Sequence, residues 1–175
     1  MVTKCVLVLT ACLVLTAPAW SGHTLSSQEE QVLKKWLVLH PAYRQATDQD
    51  CDCVADIQQM RAGSGGVWVP VPDYHPYTAT GDFNADGVED FAVVHVDHRK
   101  REKNFALAIF NGPFKSETLS PAFMASGLDL KYIGLFYGPP QPKPYRLLLG
   151  RFESDSGSLL IPDGRSYRWD DSEEE

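Results

Sequence analysis

The chain has 175 residues, 43% of them hydrophobic and 22% charged, which is enough apolar material for one folded domain and excludes wholesale disorder. Its formal charge of −7 excludes a nucleic-acid or anionic-membrane binder held by electrostatics, because such proteins present basic patches. The one basic cluster, HRKREK at His98 to Lys103, falls where a hairpin turn is expected and reads as a solvated turn.

Residues 1–19 read as an export signal. Lys4 supplies a positive start, CVLVLTACLVLT an apolar run too short for a membrane span, and APA at Ala17 to Ala19 the small residues of a cleavage site. LTAC, ending at Cys12, offers an alternative as a lipoprotein anchor, although the residues after it stay apolar where a polar tether is usual. Either way the product is exported, periplasmic or secreted, without an integral membrane segment. Cleavage near Ala19 removes Cys5 and Cys12 and leaves Cys51 and Cys53 as the remaining pair.

SSQEEQVLKKWLVLHP predicts a first helix. Ser26 or Ser27 can cap it, with Glu29 or Glu30 closing a capping box, and Val32, Leu33, Trp36, Leu37 and His40 recur at helical spacing until Pro41 stops it. DCDCVADIQQMRAG predicts a shorter second helix, with Asp48 or Asp50 near its positive end and Gly63 at its stop. GSGG (Gly63 to Gly66) then reads as a hinge. It lacks the lysine and following helix of a phosphate loop.

From Trp68 onward the period changes to two. Strands are expected at 78–81, 91–97, 104–111, 130–137, 145–152, 158–161 and 166–169, joined by short turns rich in Gly, Pro, Asp and Ser. The stretch from Gly112 to Asp129 is expected to be an irregular loop or one helical turn. The expected fold is α+β, one domain over residues 20–169, with two N-terminal helices packed on a twisted, mainly antiparallel meander sheet of about five to seven strands. The tail at 170–175 is expected to be acidic and disordered.

Between the first two expected strands lies GDFNADGVED (Gly81 to Asp90). Counted from Asp82, oxygen side chains fall at position 1 (Asp82), 3 (Asn84), 5 (Asp86) and 9 (Asp90). Gly87 sits at position 6, where a calcium loop must bend sharply, and the Val88 carbonyl at position 7. Calcium takes six to eight oxygens, which these five groups supply with water or a bidentate carboxylate. Three carboxylates in one turn repel one another unless a cation joins them. Two departures from an EF-hand are plain: the flanks are strands, and position 12 is Val93 instead of glutamate. An Asx-rich turn without metal is the competing reading.

TATGDFNADGVEDFAVV resembles the calcium loop of FG-GAP and VCBS-type repeats, D-x-[DN]-x-D-G-x-x-D, in which one strand enters the loop and an apolar strand leaves it. The resemblance implies Asp82, Asn84, Asp86, Asp90 and the Val88 backbone as Ca2+ ligands, with Glu89 facing solvent. Such repeats come in tandem, whereas this chain has one copy, so a propeller is not implied.

CDC at Cys51 to Cys53 admits three readings: a tight disulfide at the helix start, a thiol pair for a soft metal such as copper, or a cysteine that forms a dimer. His95 and Asp97 share one face of an expected half-exposed strand. In PDYHPYT, Tyr74, His75 and Tyr77 are candidates to line a small pocket. No G-x-S-x-G, H-E-x-x-H or ordered triad occurs. The expected function is an exported, non-catalytic calcium-binding module with a protein or glycan partner. The alternative is a calcium-stabilised hydrolase with His75 as base.

Overall fold

The computed structural model describes residues 24–64, 70–115, 120–139, 141–154 and 156–170. The expected export signal, Gly65 and Gly66 of the hinge, and residues 171–175 of the acidic tail lie outside the described residues.

Helix α1 (Ser27–Leu39) starts on the capping box: the Glu29 N–H donates to Ser26 Oγ at 3.4 Å, and the Ser26 N–H donates to Glu29 Oε2 at 2.7 Å. It buries Val32, Leu33 and Trp36 and ends at His40, before Pro41. A short strand β1 (Tyr43–Gln45) follows, then a single 3-10 turn at Asp48–Asp50. Helix α2 (Val54–Ala62) stops at Gly63, whose φ of 64° is the left-handed conformation that glycine adopts without strain.

The rest of the chain is β-structure: β2 (Thr78–Gly81), β3 (Asp90–Asp97), β4 (Phe105–Phe110), β5 (Phe123–Leu128), β6 (Ile133–Phe136), β7 (Leu147–Arg151), β8 (Gly157–Asp163) and β9 (Ser166–Trp169). The fold is α+β. Its strands form two antiparallel sheets, a five-stranded one ordered β1-β3-β4-β5 with β2 also on β3, and a four-stranded one ordered β6-β7-β8-β9. Strand β3 takes β4 along one edge and two strands end to end along the other. Gly81 to Thr78 pair with Asp90 to Val93, and Gln45 to Tyr43 pair with His95 to Asp97.

The alternation of side chains along β3 sorts its residues into two cores. Ala92, Val94 and Val96 join the main core, made with the second sheet (Leu135, Leu147, Leu149, Leu160) and with Ile57 and Met60 of α2. Phe91 and Val93 face the other way, onto Val32, Leu33 and Trp36 of α1. Helix α1 therefore covers one face of the first sheet, while α2 packs with the interior between the layers. Each large apolar side chain fully buried this way stabilises the fold by about 1.5–3 kcal/mol.

Three features differ from the sequence expectation. The strands divide between two sheets because β6 pairs with β7 and not with β5, which gives the inner face of the first sheet an apolar layer to pack against. Strands β1 and β5 were not expected; the latter occupies what reads as an irregular stretch. Finally, β3 is buried along its whole length, so His95 and Asp97 are interior groups and not the outer face of a half-exposed strand. The cover is α1: Trp36 stacks on His95 with ring centres 4.6 Å apart. Asp97 is held by Arg99, whose Nε and Nη2 each donate to it at 2.8 Å while the guanidinium lies over Tyr43.

Candidate metal loop

The acidic loop sits where β2 hands over to β3, and its side chains bond to its own backbone. The Asp86 N–H donates to Asp82 Oδ1 at 3.0 Å and to Asn84 Oδ1 at 2.9 Å, so two oxygens from different residues meet at one donor. The Gly87 N–H donates to Asp82 Oδ2 at 2.9 Å, the Val88 N–H to Asp86 Oδ1 at 2.8 Å, and the Asn84 amide to Asp86 Oδ2 at 3.1 Å. Positions 1, 3 and 5 thus converge. Gly87 has φ 84° and open space where a Cβ would stand, so its conformation, not crowding, requires glycine.

Asp90 behaves differently. Its side chain is interior, with no solvent exposure. Oδ2 accepts from the Phe83 N–H at 3.0 Å and the Tyr167 hydroxyl at 3.3 Å; Oδ1 accepts from the Gly112 N–H at 3.0 Å. The single Tyr167 hydroxyl proton is shared with Asn111 Oδ1, which lies closer, at 2.8 Å. Burial raises the Asp90 carboxyl to about 6, and the negative charge of Asp86 adds to the rise, while the Gly112 and Phe83 N–H groups and Tyr167 oppose it. Around this anchor Tyr137 donates to the Asp82 carbonyl, and its ring meets buried Phe83 edge-on at 4.9 Å. Burial also raises the Tyr137 and Tyr167 hydroxyls, so both stay protonated donors.

Among the five expected ligands, Asp82, Asn84 and Asp86 therefore come together at the loop tip. Val88 follows with its N–H bonded to Asp86. Asp90 is directed inward, with one lone pair on Oδ1 still uncommitted by these bonds. Among the described residues no group of three or more His, Cys, Asp or Glu side chains is disposed to hold a metal. The donor chemistry suits a hard cation: every converging atom is oxygen, and each carboxylate oxygen at the tip retains acceptor capacity. A cation there would draw on Asp82, Asn84 and Asp86 first, with Asp90 fixing the base of the loop from beneath. Glu89 faces solvent, as expected.

The interior partners of Asp90 were not legible in the sequence. Gly112 and Tyr167 lie far from the loop along the chain, as do Asn111, which shares Tyr167, and Tyr137, which binds Asp82; the only local signal, NGP at Asn111 to Pro113, reads as a turn.

The other candidates lie elsewhere. Cys51 and Cys53 form a disulfide with Cα atoms 5.0 Å apart, both buried, between the 3-10 turn and α2. His75 is exposed and borders a cleft of about 920 Å³ that also takes in Leu33, Leu37 and Val38 of α1, Thr47 and Tyr77. Tyr74 is absent from that lining; it is buried and stacks on Phe136 at 5.5 Å. The His75 Nδ1 lies 3.0 Å from Asp48 Oδ1, and Arg61 Nη2 binds Asp48 Oδ2 at 2.5 Å while Nε reaches the Tyr74 carbonyl at 2.9 Å. Burial would raise the Asp48 carboxyl, but the hydrogen bonds from His75 and Arg61 outweigh it and hold the group below its ordinary value. These contacts tie α2 to the segment before β2. The cleft wall is largely apolar and, among the described residues, contains no serine or cysteine nucleophile.

No family model matches the chain, no curated protein matches it, and no solved structure matches it. Among the described residues no helix is long and apolar enough to cross a membrane.

Proposed function

We propose that the protein is a non-catalytic, exported calcium-binding module in which residues 82–90 hold one structural Ca2+, as in a single FG-GAP or VCBS-type loop. The observation that carries this reading is the sharing of one N–H, that of Asp86, by Asp82 Oδ1 and Asn84 Oδ1. The sharing brings two oxygens to a point beside the Asp86 carboxylate. A cation there would add to that single N–H by neutralising the Asp82 and Asp86 carboxylates, whose like charges otherwise repel.

The role is structural because the loop joins β2 to β3, and its inner anchor, Asp90, connects it to the β4 exit and to β9. Extracellular calcium modules bind at about 10⁻⁴–10⁻³ M, a range that an exported protein meets. At calcium tenfold above Kd, binding stabilises by about 1.4 kcal/mol, or about 3–6 °C in Tm.

The test is a thermal melt in calcium and in EDTA, with calorimetric titration of the decalcified protein. Calcium should raise Tm by that amount and give one binding event, and Asp86→Ala should lose both effects. An equal Tm in EDTA and in calcium, with no heat of binding, would leave the loop a metal-free Asx turn and overturn the proposal.

A further inference from the structure

The two sheets pack so that their strand ends form two rims. The acidic loop, Tyr137 and the start of β9 lie at one. At the other lie the ends of β5, β7 and β9 and the starts of β6 and β8, which border an open pocket of about 480 Å³. We infer that this second pocket is a binding site for an acidic saccharide, one carrying a uronate carboxylate.

The lining divides by chemistry. Leu130 and Leu149 are apolar, and half-buried Trp169, fixed edge-on by Phe123 at 5.8 Å, offers the aromatic surface on which the C–H face of a sugar ring packs. Arg151, Asp129 and Ser158 supply a cationic donor, an anionic acceptor and a hydroxyl, the set that reads ring hydroxyls and a carboxylate. Among the described residues neither Arg151 nor Asp129 spends its side chain on a hydrogen bond or ion pair. Arg151 instead lies over the Tyr132 ring at 5.4 Å, a cation–π contact that leaves its N–H groups available.

The sign of the ligand follows from a separate observation. The hairpin between β3 and β4 carries the one basic cluster of an acidic chain to this same rim, and Lys100 Nζ lies 3.8 Å from the point where a Cβ on Gly127 would stand, beside pocket residue Leu128. Lys100 beside the pocket and Arg151 within it together outweigh Asp129, a local balance that favours an anionic ligand. The volume falls within the range of small-ligand sites, and the mouths of β-structures are a common place for them.

The experiment is calorimetric titration of the full folded chain with tri-galacturonate, with maltotriose as the neutral sugar and tri-glutamate as the acidic non-sugar, all at fixed free calcium. Tri-galacturonate should bind most tightly. Arg151→Gln should weaken it about tenfold or more, the loss of one charge-assisted bond, while leaving maltotriose unchanged. Trp169→Ala should abolish sugar binding. Because Trp169 also packs on Phe123, Trp169→Phe with a native near-UV spectrum is the control, and it should retain part of the affinity. No binding of any of the three, equal binding of maltotriose, or equal binding of tri-glutamate would each overturn the inference. Its failure leaves the calcium reading intact, since that is read by EDTA at the opposite rim.

Discussion

His95 provides the most direct check on how these cores are built. It is wholly buried on β3, and neither ring nitrogen makes a well-formed hydrogen bond; the one polar contact felt by the ring is a weak one to the Arg44 backbone. One face of Trp36 meets its ring at 4.6 Å, and Tyr43 approaches edge-on at 6.1 Å. The titratable and charged groups around it are His40, which also stacks on Trp36, Tyr43 on β1, and the Asp97–Arg99 pair two to four residues along. Burial lowers the imidazole to about 4, with His40 adding to the fall and the Arg44 backbone opposing it. The unfolded chain binds the proton near 6.5, so on acidification the unfolded state gains it first and the fold loses stability. The loss begins near pH 6.5, reaches about 2 kcal/mol at pH 5 and about 3 kcal/mol at pH 4, and levels off below about pH 3. His95→Phe keeps an aromatic ring against Trp36 and removes the titration. Urea unfolding at pH 7 and pH 5, at fixed calcium and followed by tryptophan fluorescence, should show the wild type losing about 2 kcal/mol more than the variant. Equal losses in the two proteins would mean that His95 is hydrated or hydrogen-bonded in solution, and the reasoning from its burial would be wrong.

Two further predictions concern positions away from that stack. A Cβ at Gly112 would stand 2.4 Å from the Glu89 carbonyl and 2.6 Å from Val88 Cγ1, so Gly112→Ala should destabilise by roughly 1–3 kcal/mol or more in urea unfolding. A loss below a few tenths would show that the Gly112–Asp90 contact is loose. Asp50 sits between Arg44, bound through both carboxylate oxygens, and the Thr47 N–H at 2.8 Å, and its carboxyl is lowered to about 2, with the Arg44 hydrogen bond the leading cause. Its stabilisation is present above the unfolded value near 3.8 and is lost as pH falls toward 2. Arg44 is well exposed, so Asp50→Asn should cost only about 1 kcal/mol at pH 7 and nothing measurable at pH 2. An undiminished difference at low pH would refute the ion-pair account.

How much of this was readable in advance depended on whether the signal was local. The capping box at Ser26 and Glu29 and the Gly63 stop are short-range chemistry, and the structure places those groups where the spacing puts them; in the acidic loop the same local spacing brings Asp82, Asn84 and Asp86 together but leaves Asp90 inward. β5 was missed because FMASGL mixes small and flexible residues with a glycine, which carries little strand propensity, and its pairing with β4 is long-range. His95 was misplaced for a different reason. In FAVVHVD a polar side chain on an otherwise apolar run is ordinarily an outward one, and only the docking of α1, some fifty residues upstream by sequence, turns that face inward. Asp90 combines both cases: its spacing marks it as a loop residue, while its partners Gly112 and Tyr167 are known only once the sheets have packed.

The doubled edge of β3 has a further consequence. A free sheet edge is a row of unpaired backbone groups that can recruit another chain, and the hazard grows with the length of straight strand exposed. Here that edge is shared by strands of three and four residues, with the chain turning away between them. The opposite edge, β5, has a register break where it meets Phe105 and Ala106 and a left-handed glycine at Gly127. Both outer strands of the second sheet have four residues each. Among the described residues each sheet border is thus short or kinked, an arrangement that disfavours templated β-pairing between copies.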